Sequence, residues 1–185
     1  MDNGACSYRR FLAGDDQGMV EIIREYKDGL TLYLNGIVRN IFTAEELMED
    51  TFFKLATKKP RFSGNRSFKT WLYTIGRNVA LDHLRRRKKF SDTPIEDYEN
   101  VLTEEDSVET AYLRQEQKIT VHRALRALKA EYRQVLYLVY FEGFSVGDAA
   151  SAMGKSKHQT ENLLYRAKGA LRAELGKVGF VYEEL

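Results

Sequence analysis

Apolar residues recur along this chain at the spacing of a helix face, and only two prolines, Pro60 and Pro94, interrupt the pattern. Met19, Ile22, Ile23 and Tyr26 fall at i, i+3, i+4 and i+7, and Leu30, Leu34, Ile37, Val38 and Ile41 carry the register onward. A period near 3.6 buries one stripe of a helix, whereas a half-buried strand needs alternation. The spacing therefore predicts one long helix or two abutting ones. Apolar residues make up 43% of the chain and charged residues 30%, enough to fill a core and too apolar for long disorder. At 185 residues the chain holds one domain, or two small ones joined by a linker. The expected fold class is all-α.

Polar punctuation divides the first half. Thr43 precedes Glu46 by three residues, the pattern of a capping box, and Leu47, Met48, Thr51, Phe52 and Leu55 line one face of the helix that would follow, to about Ala56. Pro60 and Gly64 break the chain within Lys58 to Arg66, a basic loop carrying one exposed-looking aromatic, Phe62. Ser67 can cap a further helix whose stripe is Phe68, Trp71, Leu72, Ile75 and Val79 and whose far end is the basic run Arg85 to Lys89. Asp92 to Glu109 then holds eight acids and no base. With Pro94 and scattered apolar residues, 91–107 is expected to be a linker, leaving units at 1–90 and 108–185.

In the second unit Tyr112, Ile119, Leu125 and Leu128 mark a helix. Tyr132 to Phe141 is apolar enough that periodicity alone allows a strand; its length and neighbours favour helix. Glu142-Gly143-Phe144 ends it, Ser145 with Asp148 makes a capping box before a short helix Val146 to Met153, and Gly154 stops that helix. Ser156 would cap a last helix to about Leu175, with Thr160, Leu164, Ala167 and Leu171 inward. A short helix, a glycine turn and a long helix have the dimensions of a helix-turn-helix, whose second helix meets base edges in the major groove. Lys157, His158, Gln159, Glu161, Asn162, Tyr165 and Arg166 would then face DNA. A plain helical hairpin with a solvated polar face is the competing reading.

Other chemistries find little support. The formal charge is only +2, but Arg77 to Lys89 carries six bases against Asp82 alone, so a basic block abuts the acidic one. One cysteine, Cys6, excludes an internal disulfide, and His83, His122 and His158 are too dispersed for a local zinc motif. No cofactor is indicated. Gly154-Lys155-Ser156 imitates the end of a phosphate-binding loop, but Ala149 stands where that motif needs its first glycine. No nucleophile motif appears, so the chain is not expected to be an enzyme. Neither a membrane-length apolar run nor a signal-peptide core is present, which makes the cytoplasm the expected compartment. The loop Pro60 to Ser67 and the helix after it mix bases with Phe62, Phe68, Trp71 and Tyr73, suited to stacking a splayed single strand. Phe68 and Trp71 also lie on the apolar stripe, where core packing explains them, and Arg85 to Lys89 suits a helix C-terminus.

The order of these segments, AEELMEDTFFKL, then RFSGNRSFKTWLYTIGRNVALDHLRRR, an acidic linker, ALRALKAEYRQVLYLVYFEGFSVGDAASAMGKS and LLYRAKGALR, resembles a bacterial RNA polymerase sigma factor of the extracytoplasmic-function type. The likeness spans about Asp15 to Leu175. It implies two small helical domains, sigma domains two and four, joined by the linker. It implies that Glu46, Leu47, Glu49, Asp50 and Phe53 dock on the clamp helices of the polymerase largest subunit. By the same resemblance Arg61, Phe62, Asn65 and Arg66 belong to a loop that captures a flipped base of the melted minus-ten element. Asn78 and Asp82 face that element, and Arg77, Arg85 and Arg86 hold phosphates. The helix-turn-helix would read the minus-thirty-five element in duplex DNA. At Glu161 the family commonly has a basic or small polar residue, and Glu49 stands where glutamine is usual. The resemblance also makes an inhibitory anti-sigma partner plausible. The alternative is a free-standing helix-turn-helix regulator, which would need neither the clamp-binding helix nor the basic aromatic loop.

Overall fold

The computed structural model describes residues 2–90, 121 and 123–177, and all regular structure among them is helical. In chain order the helices are α1 (Asn3–Leu12), α2 (Gln17–Val38), α3 (Ile41–Lys58), α4 (Phe68–Phe90), α5 (Ala130–Leu136), α6 (Val146–Met153) and α7 (Lys157–Lys177). A π-helical turn, Tyr137–Phe141, extends α5. The expected linker at 91–107, and Tyr112 and Ile119, lie outside the described residues.

Helix α2 is the axle of the first unit. The predicted stripe turns inward except at Ile23, which is 36% exposed: Ile22, Leu30 and Leu34 are fully buried and Tyr26 and Ile37 nearly so, and α1, α3 and α4 pack around them. It is a single helix, stopped by Arg39 in the left-handed conformation (φ 58°). Asn40 then caps α3, its Oδ1 accepting from the Thr43 amide at 2.7 Å. This corrects the expected Thr43–Glu46 box: an asparagine at the extended residue before the helix satisfies the free amide, and the helix begins at Ile41. Helix α1 was not foreseen. A Cβ at Gly18 would collide with the Ser7 carbonyl, so glycine permits the close crossing of α1 and α2.

Asp2 ties the terminus to the middle of the chain. One carboxylate oxygen accepts from the Ala5 amide at 3.1 Å, capping α1, and the other accepts from the Phe68 amide at 2.6 Å, at the start of α4. Ser67 also serves there as expected, accepting from the Thr70 amide at 3.1 Å.

The second unit follows its punctuation closely. Tyr132 to Phe141 is helical, because Val135, Leu136, Tyr137 and Leu138 are all buried together where a strand would alternate. Ser145 accepts from the Asp148 amide at 3.1 Å, Gly154 takes φ 64° to end α6, and Ser156 accepts from the Gln159 amide at 3.1 Å. Thr160 and Ala167 are fully buried beneath α7, while Leu164 and Leu171 are half-buried.

The two units share one hydrophobic cluster. Tyr33 of α2 meets Tyr73 of α4 at 5.3 Å between ring centroids and Tyr137 at 6.4 Å, and Phe144 lies 5.3 Å from Tyr73. Arg133, 5% exposed, donates from Nε to the Gly36 carbonyl of α2 at 2.6 Å and from Nη1 to the Arg126 carbonyl at 3.1 Å.

Burial raises the pKa of Tyr33, Tyr73 and Tyr137, with the Glu142 carboxylate adding to the shift for the last two. A group whose pKa is higher in the fold stabilises it fully below the ordinary tyrosine value of 10.0 and loses that contribution as pH rises beyond it. Thermal stability should therefore fall above pH 10, by up to about 1.4 kcal/mol per pH unit for each such tyrosine. Calorimetric melts across the alkaline range measure this. Tyr33→Phe, which removes a hydroxyl with no hydrogen-bond partner among the described residues, should make the fall shallower.

Candidate nucleic-acid interface

Helix α3 has two unlike faces. Leu47, Thr51, Phe52 and Leu55 turn into the core, whereas Phe42, Glu46, Glu49 and Phe53, at i, i+4, i+7 and i+11, are exposed along the other side. Phe42 is 52% exposed and Phe53 67%, unusual for phenylalanine on a surface that is otherwise acidic. Asp50 is exposed beside them. Leu47 needs correcting as a surface contact: it is 3% exposed and belongs to the core, because it sits on the inward stripe of the same helix. Phe42 was missed. Its signal was present in its spacing from Glu46, but its neighbour Ile41 claims the apolar register.

In the loop before α4, Arg61, Asn65 and Arg66 are exposed. Phe62 is not a free aromatic: it is half-buried, 5.1 Å from Trp71 and 5.7 Å from Phe68 between ring centroids. Clustering with those rings removes more apolar surface from water than a solvated loop position would. Tyr8 tethers the loop by donating from its hydroxyl to the Pro60 carbonyl at 2.8 Å, and burial pushes its pKa up to about 12. Tyr73 is fully buried and so cannot stack on a base.

On α4, Asn78, Asp82, Arg85 and Arg86 are exposed, and Asp82 pairs with Arg85 at 3.0 Å. Arg77 is half-buried and donates from Nε to Gln134 Oε1 of α5 at 3.3 Å. A cleft of about 250 Å³ between α3 and α4 is lined by Asp50, Lys54, Val79, Asp82, His83 and Arg86, with Leu47 at its floor. It brings a residue expected at the polymerase, Asp50, beside two expected at DNA.

The first turns of α7 present Lys157, His158, Gln159, Glu161, Asn162, Tyr165 and Arg166 to solvent, with Tyr165 80% exposed. Their side chains are partly engaged. Gln159 Oε1 accepts from the Ser156 amide at 2.9 Å, His158 Nε2 lies 3.2 Å from Asn162 Nδ2, and Lys157 stands 3.9 Å from Glu161. Among the described residues no group of histidine, cysteine or carboxylate side chains could hold a metal, and no helix is long and apolar enough to cross a membrane.

Residues 22–90 match sigma-70 region 2, and residues 118–171 match sigma-70, region 4. The RNA polymerase sigma-H factor of Pseudomonas aeruginosa is 30% identical over 170 residues, covering 88% of each chain. The RNA polymerase sigma factor YlaC of Bacillus subtilis is 30% identical over 158 residues, covering 85% of this chain and 91% of the relative. Relatives described as ECF RNA polymerase sigma factors include SigW of Bacillus subtilis, 24% identical over 170 residues, 88% of this chain and 91% of that one. The chain belongs to the extracytoplasmic-function group of RNA polymerase sigma factors.

As a sigma factor it is not a free-standing helix-turn-helix regulator: both regions are present, and the matches span its two units. Among solved structures, this sigma factor superposes with a TM-score of 0.67 on RpoE of Bartonella quintana in complex with the anti-sigma factor NepR, at 25% identity over 84% of this chain and 97% of that one. CnrH in complex with the cytosolic domain of CnrY shares the fold, with a TM-score of 0.69 at 20% identity over 95% and 99% of the two chains.

The two faces of α3 in this sigma factor should separate in a stability measurement. Leu47→Ala should cost about 2–5 kcal/mol in urea unfolding through the cavity it leaves. Phe53→Ala should stay within about 0.5 kcal/mol, because its ring is already in water.

Proposed function

We propose that this sigma factor docks on the clamp helices of the largest subunit of core polymerase through the outer face of α3. It then captures the melted minus-ten element with the Arg61–Arg66 loop and α4, and reads duplex DNA at the minus-thirty-five element with α7. The observation that carries this reading is the stripe Phe42, Glu46, Glu49 and Phe53. With its ends eleven residue steps apart, it runs about 16.5 Å along the helix. Two exposed aromatic anchors bracketing carboxylates suit a helical partner that is basic in the middle and apolar at both ends. A regulator working through α7 alone would have no use for it.

At the loop, the corrected position of Phe62 changes its role. Its ring supports the loop through Trp71, and Asn65, Arg61 and Arg66 supply the exposed groups that meet an extruded base and its phosphates. Extrusion costs a few kcal/mol of unstacking, so a pocket that stabilises only the flipped base converts binding energy into strand opening. On α7, Asn162 and Arg166 have the hydrogen-bonding forks that read base edges, and the engagement of Gln159 in the cap makes it a positioning residue. The protein has no catalysis of its own, works where core polymerase and promoter DNA are, in the cytoplasm, and is a candidate for capture by an anti-sigma protein. Two structural neighbours, each solved in complex with a second protein, support the last point.

Three measurements test these assignments. Asp50→Lys and Phe53→Ala should each weaken core-polymerase binding by tenfold or more while circular dichroism is unchanged, and unaltered affinity in both would remove α3 from the contact. Asn162→Ala or Arg166→Ala should cost about 1–3 kcal/mol of upstream-element discrimination where a bidentate base contact is lost, against a uniform loss across sequences for a phosphate contact. Asn65→Ala with Arg66→Ala should leave closed-complex formation intact and slow permanganate-detected opening of linear promoter DNA, with rescue on a pre-melted bubble. Opening at the parent rate would reduce the loop to a connector.

A further inference from the structure

Residues 60–66 have no scaffold of their own. Among the described residues none of them makes a backbone-to-backbone hydrogen bond, and the chain passes through the left-handed region at Lys59 (φ 44°) and Gly64 (φ 75°). Ordering such a segment costs backbone entropy that contacts from outside it must offset.

Both ends of the loop are held by one helix, α1, which lies outside the residues 22–90 that match sigma-70 region 2. At the entry, the Tyr8 hydroxyl donates to the Pro60 carbonyl at 2.8 Å, and Lys59 Nζ sits 5.0 Å over the Phe11 ring. At the exit, the Asp2 carboxylate accepts from the Phe68 amide at 2.6 Å. The Phe68 ring lies so close to α1 that a Cβ at Gly4 would come within 2.5 Å of its Cδ1. Tyr8, 1% exposed, also places its ring 5.5 Å from Phe68 and 5.4 Å from Trp71, so α1 supplies one wall of the aromatic cluster on which Phe62 rests.

Two of these contacts exceed what packing and capping require. A phenylalanine at position 8 would fill the same cluster, and the hydroxyl adds only the bond to Pro60. An asparagine at position 2 would cap α1 as well as aspartate does, so the second carboxylate oxygen is needed only for Phe68, 66 residues away. Ser67 already accepts from the Thr70 amide at the start of α4, so that helix has a local cap without Asp2.

We propose that α1 is a brace for the promoter-opening loop, with Tyr8 and Asp2 as positioning residues that act on strand opening and not on duplex binding. This rests on the reading of Arg61–Arg66 as the loop that captures an extruded base. A pocket that engages only an extruded base speeds opening in proportion to the fraction of chains in which it stands ready. An unbraced loop must be ordered at the moment of capture, and that ordering burdens the opening step. Duplex contacts made by α7 carry no such burden.

The test uses the full chain with core polymerase, well below the unfolding temperature of every variant. Tyr8→Phe keeps the ring and removes the bond to Pro60. Asp2→Asn keeps one acceptor for the Ala5 amide and turns an N–H donor toward the Phe68 amide. Each should slow permanganate-detected opening of linear promoter DNA by about two- to tenfold, the worth of one hydrogen bond, with the closed-complex binding constant unchanged. A pre-melted bubble should remove the difference. A role in folding alone would lower the melting temperature and leave the opening rate of the folded protein at the parent value. In an Asn65→Ala, Arg66→Ala background, Tyr8→Phe should have no further effect, because a loop stripped of its exposed groups gains nothing from being held; an additional, independent loss would overturn the brace. Parent-rate opening by Tyr8→Phe and Asp2→Asn, while the Asn65, Arg66 pair slows it, would overturn the brace alone. Parent-rate opening by that pair as well would overturn the loop assignment and the brace with it.

Discussion

The outward faces of α3 and α4 are what remains after α2 has been buried. Ile22, Leu30 and Leu34 lose all contact with water, and the helices that cover them must each spend one face on that task. At about 25 cal/mol per Å² of apolar area, burial of several such side chains outweighs any surface ion pair in the molecule. The orientation of α3 and α4 follows. Leu47, Phe52 and Leu55 point α3 inward, which leaves Phe42, Glu46, Glu49 and Phe53 outward; Phe68, Leu72 and Tyr73 do the same for α4, leaving Asn78, Asp82, Arg85 and Arg86.

The basic loop is positioned by the same economy of burial. It is suspended from an aromatic cluster, with Phe62 against Trp71 and Phe68, Tyr8 against Trp71 at 5.4 Å, and the Tyr8 hydroxyl on the Pro60 carbonyl. Aromatic residues that look suited to stacking on bases instead hold the loop that presents Arg61, Asn65 and Arg66. Helix α7 has a different support. A reciprocal cap between Ser156 and Gln159 fixes its start, and Thr160 and Ala167 seat it on α6 and α5, so the polar residues between them project into solvent.

Much of this was legible in the chain. The periodic stripes named the core of α2, the inner face of α3 and the inward positions of α7, and Ser67, Ser145, Gly154 and Ser156 marked helix ends where they stand. The misreadings share a cause. Local pattern points to Thr43 as a cap and to Phe62 as an exposed ring, and each is decided by a partner that pattern does not contain: Asn40 in the step after Arg39, and the ring of Trp71. Resemblance implies a surface role for Leu47, whereas its own spacing with Thr51 and Leu55 places it inward, where it is 3% exposed.

The sequence by itself determined the apolar stripes of α2, α3, α4 and α7 and the caps at Ser67, Ser145 and Ser156, because these depend on residues within one or two turns of each other. It also carried the family, since the order of motifs along the chain is a property of the chain. The tertiary structure alone decided that one carboxylate, Asp2, serves two helices, that Asp50, Asp82 and Arg86 share a cleft, and that Lys69 meets Glu142 across 73 residues. Such pairings have no local signature. They arise only when burial of α2 brings distant segments together, and any one of them is too weak to be dictated by composition or spacing.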